Sequence, residues 1–294
     1  MKILVTGSYG QVGSCLVRQL QSMSDVEFMA VDRDELDITD KAQVESVVKE
    51  FRPDAIINAA AHTAVDKAEQ EVELSYAINR DGPKNLAEAA QQIGAAILHI
   101  STDYVFAGDK EGCYVEADPV SPQGVYGQSK LAGEIEVAKA CERHIILRTA
   151  WVFGEQGNNF VKTMLRLAQS RDTLGVVADQ FGGPTYAGDI ASTLLTIAKS
   201  IVENNNQAYG VYHYSGLPHV SWCDFAKTIF EKSVEQGCLK QAPVVNAIRT
   251  VDYPTPAKRP ANSKLDTSLI KDKFGIEASD WQVALNNLTE YKGE

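Results

Sequence analysis

Lys2-Ile3-Leu4-Val5-Thr6-Gly7-Ser8-Tyr9-Gly10-Gln11-Val12-Gly13 is the stretch whose reading decides the fold of this chain. An apolar run of strand length stops at a glycine, and a helical period starts after a turn that holds two more glycines. Gly7 permits the tight turn, Gly10 lets the backbone approach a pyrophosphate, and Gly13 allows close packing of helix on sheet. The helix read over Gln11 to Gln21 puts Val12, Cys15, Leu16 and Leu20 on one face. Its first N–H groups and positive dipole end are left for an anion. Gly7, Gly10, Gln11, Val12 and Gly13 are therefore candidate phosphate contacts. On spacing alone, an ordinary strand-to-helix turn would serve as well.

Working outward, the same rhythm repeats. Val26–Val31 reads as a second strand ending at Asp32, Ala42–Phe51 as a helix, and Ala55–Asn58 as a third strand beyond Pro53. Two helical segments fill residues 65–92, Ala96–Ile100 is a fourth strand, and a glycine- and proline-containing loop covers 107–124. A helix over 125–142 leads to a fifth strand, Ile145–Arg148. Strands that are continuous apolar runs, alternating with helices, predict a parallel sheet covered on both faces. Right-handed crossovers make it a doubly wound, Rossmann-like α/β fold. After Phe153 the rhythm changes to helices near 159–170, 189–202 and 222–235, separated by glycine- and proline-rich loops. The strand-like Val211–Tyr214 would return to the main sheet. The organisation expected is a dinucleotide-binding domain over 1–155, with a return segment near 187–215. A smaller mixed lobe over 156–294, mainly for substrate, completes it.

Bulk composition narrows the function classes. Among 294 residues, 39 are acidic and 28 basic, a formal net charge of −11, which argues against non-specific nucleic-acid binding. No apolar run reaches the roughly 18 residues of a membrane span. The first apolar run ends at Gly7, too soon for a signal peptide. The five cysteines, Cys15, Cys113, Cys141, Cys223 and Cys238, are odd in number and scattered, without a C-x-x-C pair. Reduced thiols in the cytoplasm are expected, and neither a disulfide framework nor a metal site.

Asp32 stands where an acidic side chain would meet the adenosine ribose, and its carboxylate would repel the extra phosphate of NADP. Arg33 beside it could instead bind that phosphate, so NADH and NADPH both stay open. Ala59, Ala60 and Ala61, after the third strand, offer small side chains where a dinucleotide would cross the sheet, although small residues there are also common packing.

Tyr126-Gly127-Gln128-Ser129-Lys130 puts a phenol and an ammonium on one helical face. Free tyrosine, with a pKa of about 10, exchanges protons poorly near neutrality. A nearby ammonium is expected to lower it into working range. Such a pair also arises by chance on solvated helices. Its weight comes from Ser101-Thr102-Asp103 at the end of the fourth strand, because ligands of open parallel sheets bind beyond the carboxyl ends of the strands. There the Thr102 hydroxyl could bond the carbonyl oxygen that Tyr126 protonates.

With these residues in place, the sequence resembles the extended short-chain dehydrogenase/reductases. Within them it resembles the family that reduces the 4-keto group of dTDP-4-dehydro-L-rhamnose to give dTDP-L-rhamnose, a step in nucleotide-sugar and surface-polysaccharide synthesis. The glycine spacing G-x-x-G-x-x-G fits that pattern. The segments that carry the likeness are 58–69, 101–106, 125–127, 130–134, 148–153, 179–185 and 259–263, nearly the whole chain. The resemblance implies Thr102, Tyr126 and Lys130 as the catalytic set. It implies dinucleotide contacts reaching Asp37, Ile38, Thr63 and Tyr126, with Lys130 also bonding the nicotinamide ribose. It places Val65, Thr102, Asp103 and Trp151 against the sugar nucleotide, whose diphosphate, lying against the second lobe, could pair with Lys258 or Arg259. Trp151 could equally be a packing residue between lobes. Asn79 matches a position that shapes a proton relay, or caps a helix, and His62 is expected to be structural. Some members hold a divalent metal, Mg, between subunits through an acidic residue on the first helix. Cys15 takes that place here, so a bridging Mg is not expected and any homodimer must rest on other contacts. Two alternatives remain: another nucleotide-sugar reductase, epimerase or dehydratase of the same scaffold, and a non-catalytic regulatory subunit. Thr102-Asp103-Tyr104 lacks the Asp-Glu pair of the dehydratases, and the intact catalytic set disfavours the regulatory subunit.

Overall fold

The computed structural model describes residues 1–291. The strands β1 (Lys2–Thr6), β2 (Glu27–Val31), β3 (Ala55–Asn58), β4 (Ala96–Thr102) and β5 (His144–Thr149) and a sixth, Gly210–His213, form one sheet. Its order is β2-β1-β3-β4-β5-sixth strand, and every pairing is parallel. Ala55–Asn58 is buried at all four positions, as a strand covered on both faces must be. The Rossmann-like sheet and its smaller mixed companions match the fold class read from the sequence.

As far as residue 235 the α-helices are, in chain order, α1 (Gln11–Gln21), α2 (Lys41–Phe51), α3 (Val65–Ala68), α4 (Val72–Tyr76), α5 (Gly82–Ile93), α6 (Val125–Ala140), α7 (Phe160–Ala168), α8 (Ala187–Glu203) and α9 (Trp222–Glu235). Leu16 and Leu20 of α1 pack with Ile190, Leu194 and Ile197 of α8 on one face of the sheet. Val44 and Val48 of α2, Leu86 of α5 and Val137 of α6 cover the other. A separate apolar core gathers Phe153, Val161, Phe225, Ile229 and Trp281 around α7 and α9. Short strands brace that region: 173–177 pairs with 244–248 and 152–153 with 185–186, both in parallel.

Residues 65–92, expected as two helices, instead form α3, α4, a π-helical turn at Ala77–Asp81 and α5. The π turn holds Asn79, whose buried amide accepts the His62 N–H (2.8 Å) and donates to the His62 carbonyl (3.0 Å) and to Ser129 Oγ (3.0 Å). A side-chain clamp on the backbone breaks the regular ladder here, which no apolar period signals. Asn79 thus ties the loop after β3 to α6 and is not a helix cap. His62 has partners at both ring nitrogens, Ser75 Oγ (3.0 Å) and Glu71 (3.1 Å). Among the described residues no helix is long and apolar enough to cross a membrane.

Candidate active site

The chain leaves β1 for β2 at one edge and re-enters as β3 on the other side of β1. A parallel sheet opens a crevice at such a reversal. Here it is a cleft of about 380 Å³, lined by Gly7, Gly10, Asp32, Arg33, Asp37, Ile38, Ala59, Ala60 and Ala61. Tyr9, Leu36, Thr39, Leu74, Ala77 and Ile78 complete the wall. Gly7 has φ +73°, and a Cβ there would stand 2.5 Å from the Ala60 nitrogen. At Gly13 a Cβ would drive into the Gly7 carbonyl, so only glycine lets α1 start so close to the turn. At Gly10 the nearest protein atom to a Cβ would be 3.3 Å away. That contact, with the Gly7 carbonyl, is tight but not forbidding, and the bare backbone at Gly10 also lines the cleft.

No side chain caps α1, so its first N–H groups remain for a ligand. The uncapped helix start, the bare Gly10 and the small wall of Ala59 to Ala61 fit a dinucleotide. Asp32 follows β2 and accepts the Tyr9 N–H (2.9 Å) and the Arg33 N–H (2.8 Å), which fixes its carboxylate beside the glycine turn. Arg33 is exposed and forms no ion pair among the described residues. The Asp37 carboxylate binds the hydroxyl (2.7 Å) and N–H (2.9 Å) of Thr39, and these bonds hold it below the usual carboxylate range. Four of the turn and loop candidates stand apart from the lining, Gly13 because it packs on the Gly7 turn. The Gln11 side chain accepts from Asn159 (3.1 Å), Val12 is buried in the core, and Thr63 is exposed in the loop after β3. Gln11 and Val12 could therefore serve a ligand only through their backbone. Leu74 of α4 and Ile78 of the π turn, which were not among the sequence candidates, also reach the cleft. Their local pattern carries no mark of it.

The helix α6 begins where Glu69 accepts the Val125 N–H (2.9 Å). Tyr126, Lys130 and Glu134 then recur at four-residue spacing along one face, toward the end of β4. The Tyr126 ring meets Tyr104 edge to face, with centroids 5.3 Å apart. Glu134 is buried and takes two bonds from the Arg148 guanidinium of β5 (2.9 and 2.7 Å) and one from Ser101. This network pins α6 to both strands whose ends carry the candidate chemistry.

The lysine departs from expectation. Its Nζ donates to the Ile100 carbonyl (2.7 Å) and lies 3.5 Å from His99 Nε2, so it is turned to β4. Burial lowers its pKa to about 8, with Glu134 opposing. Burial also pushes the Tyr126 phenol above its ordinary value, and Thr102 only partly offsets this. In the free protein desolvation outweighs any help from the ammonium.

Thr102 Oγ1 accepts the Tyr104 N–H (3.2 Å) and gives its proton to Asp103 Oδ1 (3.0 Å). Asp103, expected against the sugar, is only 4% exposed, and its second oxygen is buried without a partner. Burial raises its pKa to about 6, with Ser263 and Thr102 pulling it back only in part. An acid raised in the fold contributes stability below its unfolded pKa and loses it as pH climbs through the folded one. The carboxylate is therefore a full burden above about pH 6. Asp103→Asn is expected to raise stability at pH 7.5 by on the order of 2 kcal/mol. The gain should fade below about pH 4, where both side chains are neutral. Denaturant midpoints at the two pH values measure it, and an equal gain at both would refute the assignment.

Trp151 adopts φ +50° and stacks on Trp222 at 3.5 Å, so one face of its indole is already taken. Arg259 pairs with Asp66 (2.6 Å), next to Val65, and donates to the Tyr104 hydroxyl (3.3 Å). Among the described residues, exposed Lys258 reaches only Gln123 (3.3 Å). On α1, burial keeps Cys15 a neutral thiol, its pKa pushed up to about 11. Arg18 stands 3.6 Å from Glu155 and supplies the positive charge there. That donor set does not fit a divalent ion.

A doubly wound sheet with a glycine turn at its reversal, and a Tyr-x-x-x-Lys face beside the end of β4, defines a short-chain dehydrogenase/reductase. The family model described as the RmlD substrate binding domain matches residues 1–292. A dTDP-4-dehydrorhamnose reductase from Aggregatibacter actinomycetemcomitans is 54% identical over 290 residues, 99% of each chain. The crystal structure of a dTDP-4-dehydrorhamnose reductase from Clostridium acetobutylicum superposes with a TM-score of 0.90 at 42% identity, over 99% of each chain. One from Bacillus anthracis, solved in complex with NADP, gives 0.90 at 36% identity over the same share. The chain belongs to the dTDP-4-dehydrorhamnose reductase family.

Proposed function

We propose that this chain reduces the 4-keto group of dTDP-4-dehydro-L-rhamnose to give dTDP-L-rhamnose, using NADPH or NADH. The observation that carries the proposal is the convergence of Thr102, Tyr126 and Lys130 at the end of β4, next to the strand whose end lines the dinucleotide cleft. Gly7, Gly10 and the N–H groups that open α1 would hold the pyrophosphate, and Asp32 the adenosine ribose. Exposed Arg33 offers a cation to the extra phosphate of NADPH, and a relative solved with NADP supports that choice. The bound reduced nicotinamide supplies the hydride.

Everything else is work for side chains. Tyr126 gives its phenolic proton to the oxygen at C4, which becomes a hydroxyl. Its high pKa in the free protein suits an acid that must arrive protonated. Lys130, released from the Ile100 carbonyl, then stabilises the phenolate that remains. Thr102, by turning its hydroxyl from Asp103, orients the same oxygen. Val65, Asp103 and Trp151 line the sugar side, and Arg259, fixed by Asp66 and Tyr104, faces the diphosphate. We assign residues 1–155, with the returning segment 187–215, to dinucleotide binding, and the core around α7 and α9 to substrate. Five unpaired cysteines support a cytoplasmic setting.

The test offers dTDP-4-dehydro-L-rhamnose with each reduced cofactor and follows the reduced-nicotinamide absorbance. Steady loss, matched by dTDP-L-rhamnose formed, is expected. Sugar conversion without net cofactor consumption would favour an epimerase, and no turnover beside a stoichiometric protein partner would favour a regulatory subunit.

A further inference from the structure

Lys130 is approached by a buried chain that begins on β1. Thr6 Oγ1 donates to Asn58 Oδ1 (2.8 Å), and the same oxygen accepts the backbone N–H of Ala60 (3.1 Å). A backbone N–H can only donate, so the Asn58 oxygen faces Ala60 and its NH2 faces the opposite way. There it meets His99 Nδ1 at 3.0 Å. The amide nitrogen cannot accept, so Nδ1 must, and a neutral ring then carries its proton on Nε2. Nε2 in turn lies 3.5 Å from Lys130 Nζ. Protonation of both ring nitrogens is closed off, because burial, reinforced by the lysine charge, holds His99 well below the ordinary histidine range.

Two donors therefore confront each other. An ammonium has three N–H groups and no lone pair, and among the described residues the one firm acceptor it finds is the Ile100 carbonyl. We propose that His99, locked by Asn58 as the Nε2–H tautomer, is a positioning residue that withholds an acceptor from Lys130 and so keeps the lysine free to turn to ligand and phenol. With the ring reversed, a lone pair would seat the ammonium on β4 and hold it there. The proposal rests on the reductase function above and adds a residue to it.

Charged groups on the elements packed against α6 do not replace this control. On its own helix, Tyr126 is a neutral phenol, and Glu134 is paired with Arg148 of β5. On β4's end, Asp103 is bonded to Thr102. From the π turn and α5, Arg80 pairs with Asp81, Lys84 with Glu136, and Glu88 with Lys41. From α3, Asp66 pairs with Arg259.

Nitrogen-15 NMR of the histidine rings in the full chain, together with the pH dependence of kcat/KM, tests the proposal. In the unsubstituted protein His99 should show a protonated Nε2 and a bare Nδ1 throughout, and activity should fall on the alkaline side near pH 8 as Lys130 loses its proton. Asn58→Asp supplies an acceptor to Nδ1 and should reverse the ring. The alkaline limb should then move up by about one unit and kcat fall about tenfold, because the lysine is seated on the strand. An Nδ1–H ring in the unsubstituted protein would overturn the proposal, and this spectrum decides even should Asn58→Asp fail to fold. A shifted limb without ring reversal would overturn it too, since the new carboxylate's charge alone would account for the change. The tautomer is read without turnover. An Nε2–H ring in a protein inert on the keto-sugar would therefore count against the reductase function, and the lysine's role with it, while leaving the hydrogen-bond assignment intact.

Discussion

Tyr126→Phe is expected to lower kcat by roughly 10²–10⁴-fold, the usual contribution of a positioned general acid. Each factor of ten is about 1.4 kcal/mol of barrier, so the missing phenolic proton accounts for roughly 3–5 kcal/mol. Dinucleotide affinity should hardly change, because the substitution keeps the ring that packs edge to face on Tyr104 and removes only an oxygen. The residues that would hold the pyrophosphate and the adenosine ribose follow β1 and β2. Single-turnover rates and a fluorescence titration with reduced cofactor separate the two effects. A variant that retains near-normal turnover would remove Tyr126 from the mechanism.

Glu134→Ala should cost about 3–5 kcal/mol of folding stability, the toll of leaving a buried charge without its partner. Arg148 and Glu134 have side chains only 5% and 4% exposed, and one guanidinium nitrogen already lacks a hydrogen-bond partner. Removing the carboxylate would strand the rest of the guanidinium over the Phe106 ring and take the acceptor from Ser101. A Glu134→Leu, Arg148→Met pair should recover most of the loss, because two apolar side chains of similar volume have no charge to desolvate. Urea midpoints of the single and double variants measure both. A single variant within about 1 kcal/mol of the parent would mean that water reaches the pair.

Much of the fold was legible because its cues are local. The runs Lys2–Thr6, Ala55–Asn58 and Ala96–Ile100 are bounded within a few residues by glycine, proline or polar turns, and each is a strand of the sheet. Trp222–Glu235 is a helix over the very span its period marks. Boundaries drifted where a strand outlasts its apolar stretch. β4 runs on through Ser101 and Thr102 because backbone pairing with β5 continues past Ile100. The short strands at 173–177 and 244–248 have no strong period, and their pairing across about 70 residues of chain was not foreseeable from either one.

The candidate site divides along the same line. The glycine turn, Asp32, the alanines after β3 and the Tyr126–Lys130 spacing all show in the sequence, since a turn or a helical face is set by neighbours a few positions apart. Which groups those side chains meet is another matter. His99 looked like one more position in an apolar strand. Lys130 was expected to lower the phenol's pKa from close by, and its partner in the free protein is a carbonyl of β4.

By itself, the sequence determined the alternation of strand and helix, the reversal that opens a cleft above β1 and β3, and the chemical kinds of side chain present there. Only the tertiary structure decided where protons sit. It gave the Thr6 hydroxyl proton to the Asn58 oxygen and set the Asn58 NH2 against His99 Nδ1. It also covered one face of Trp151 with Trp222. The reason is the range of the forces. Backbone period and turn chemistry act over a few residues, whereas desolvation and hydrogen-bond direction depend on atoms that folding brings together from 40 or more positions away, as with Asn58 and His99.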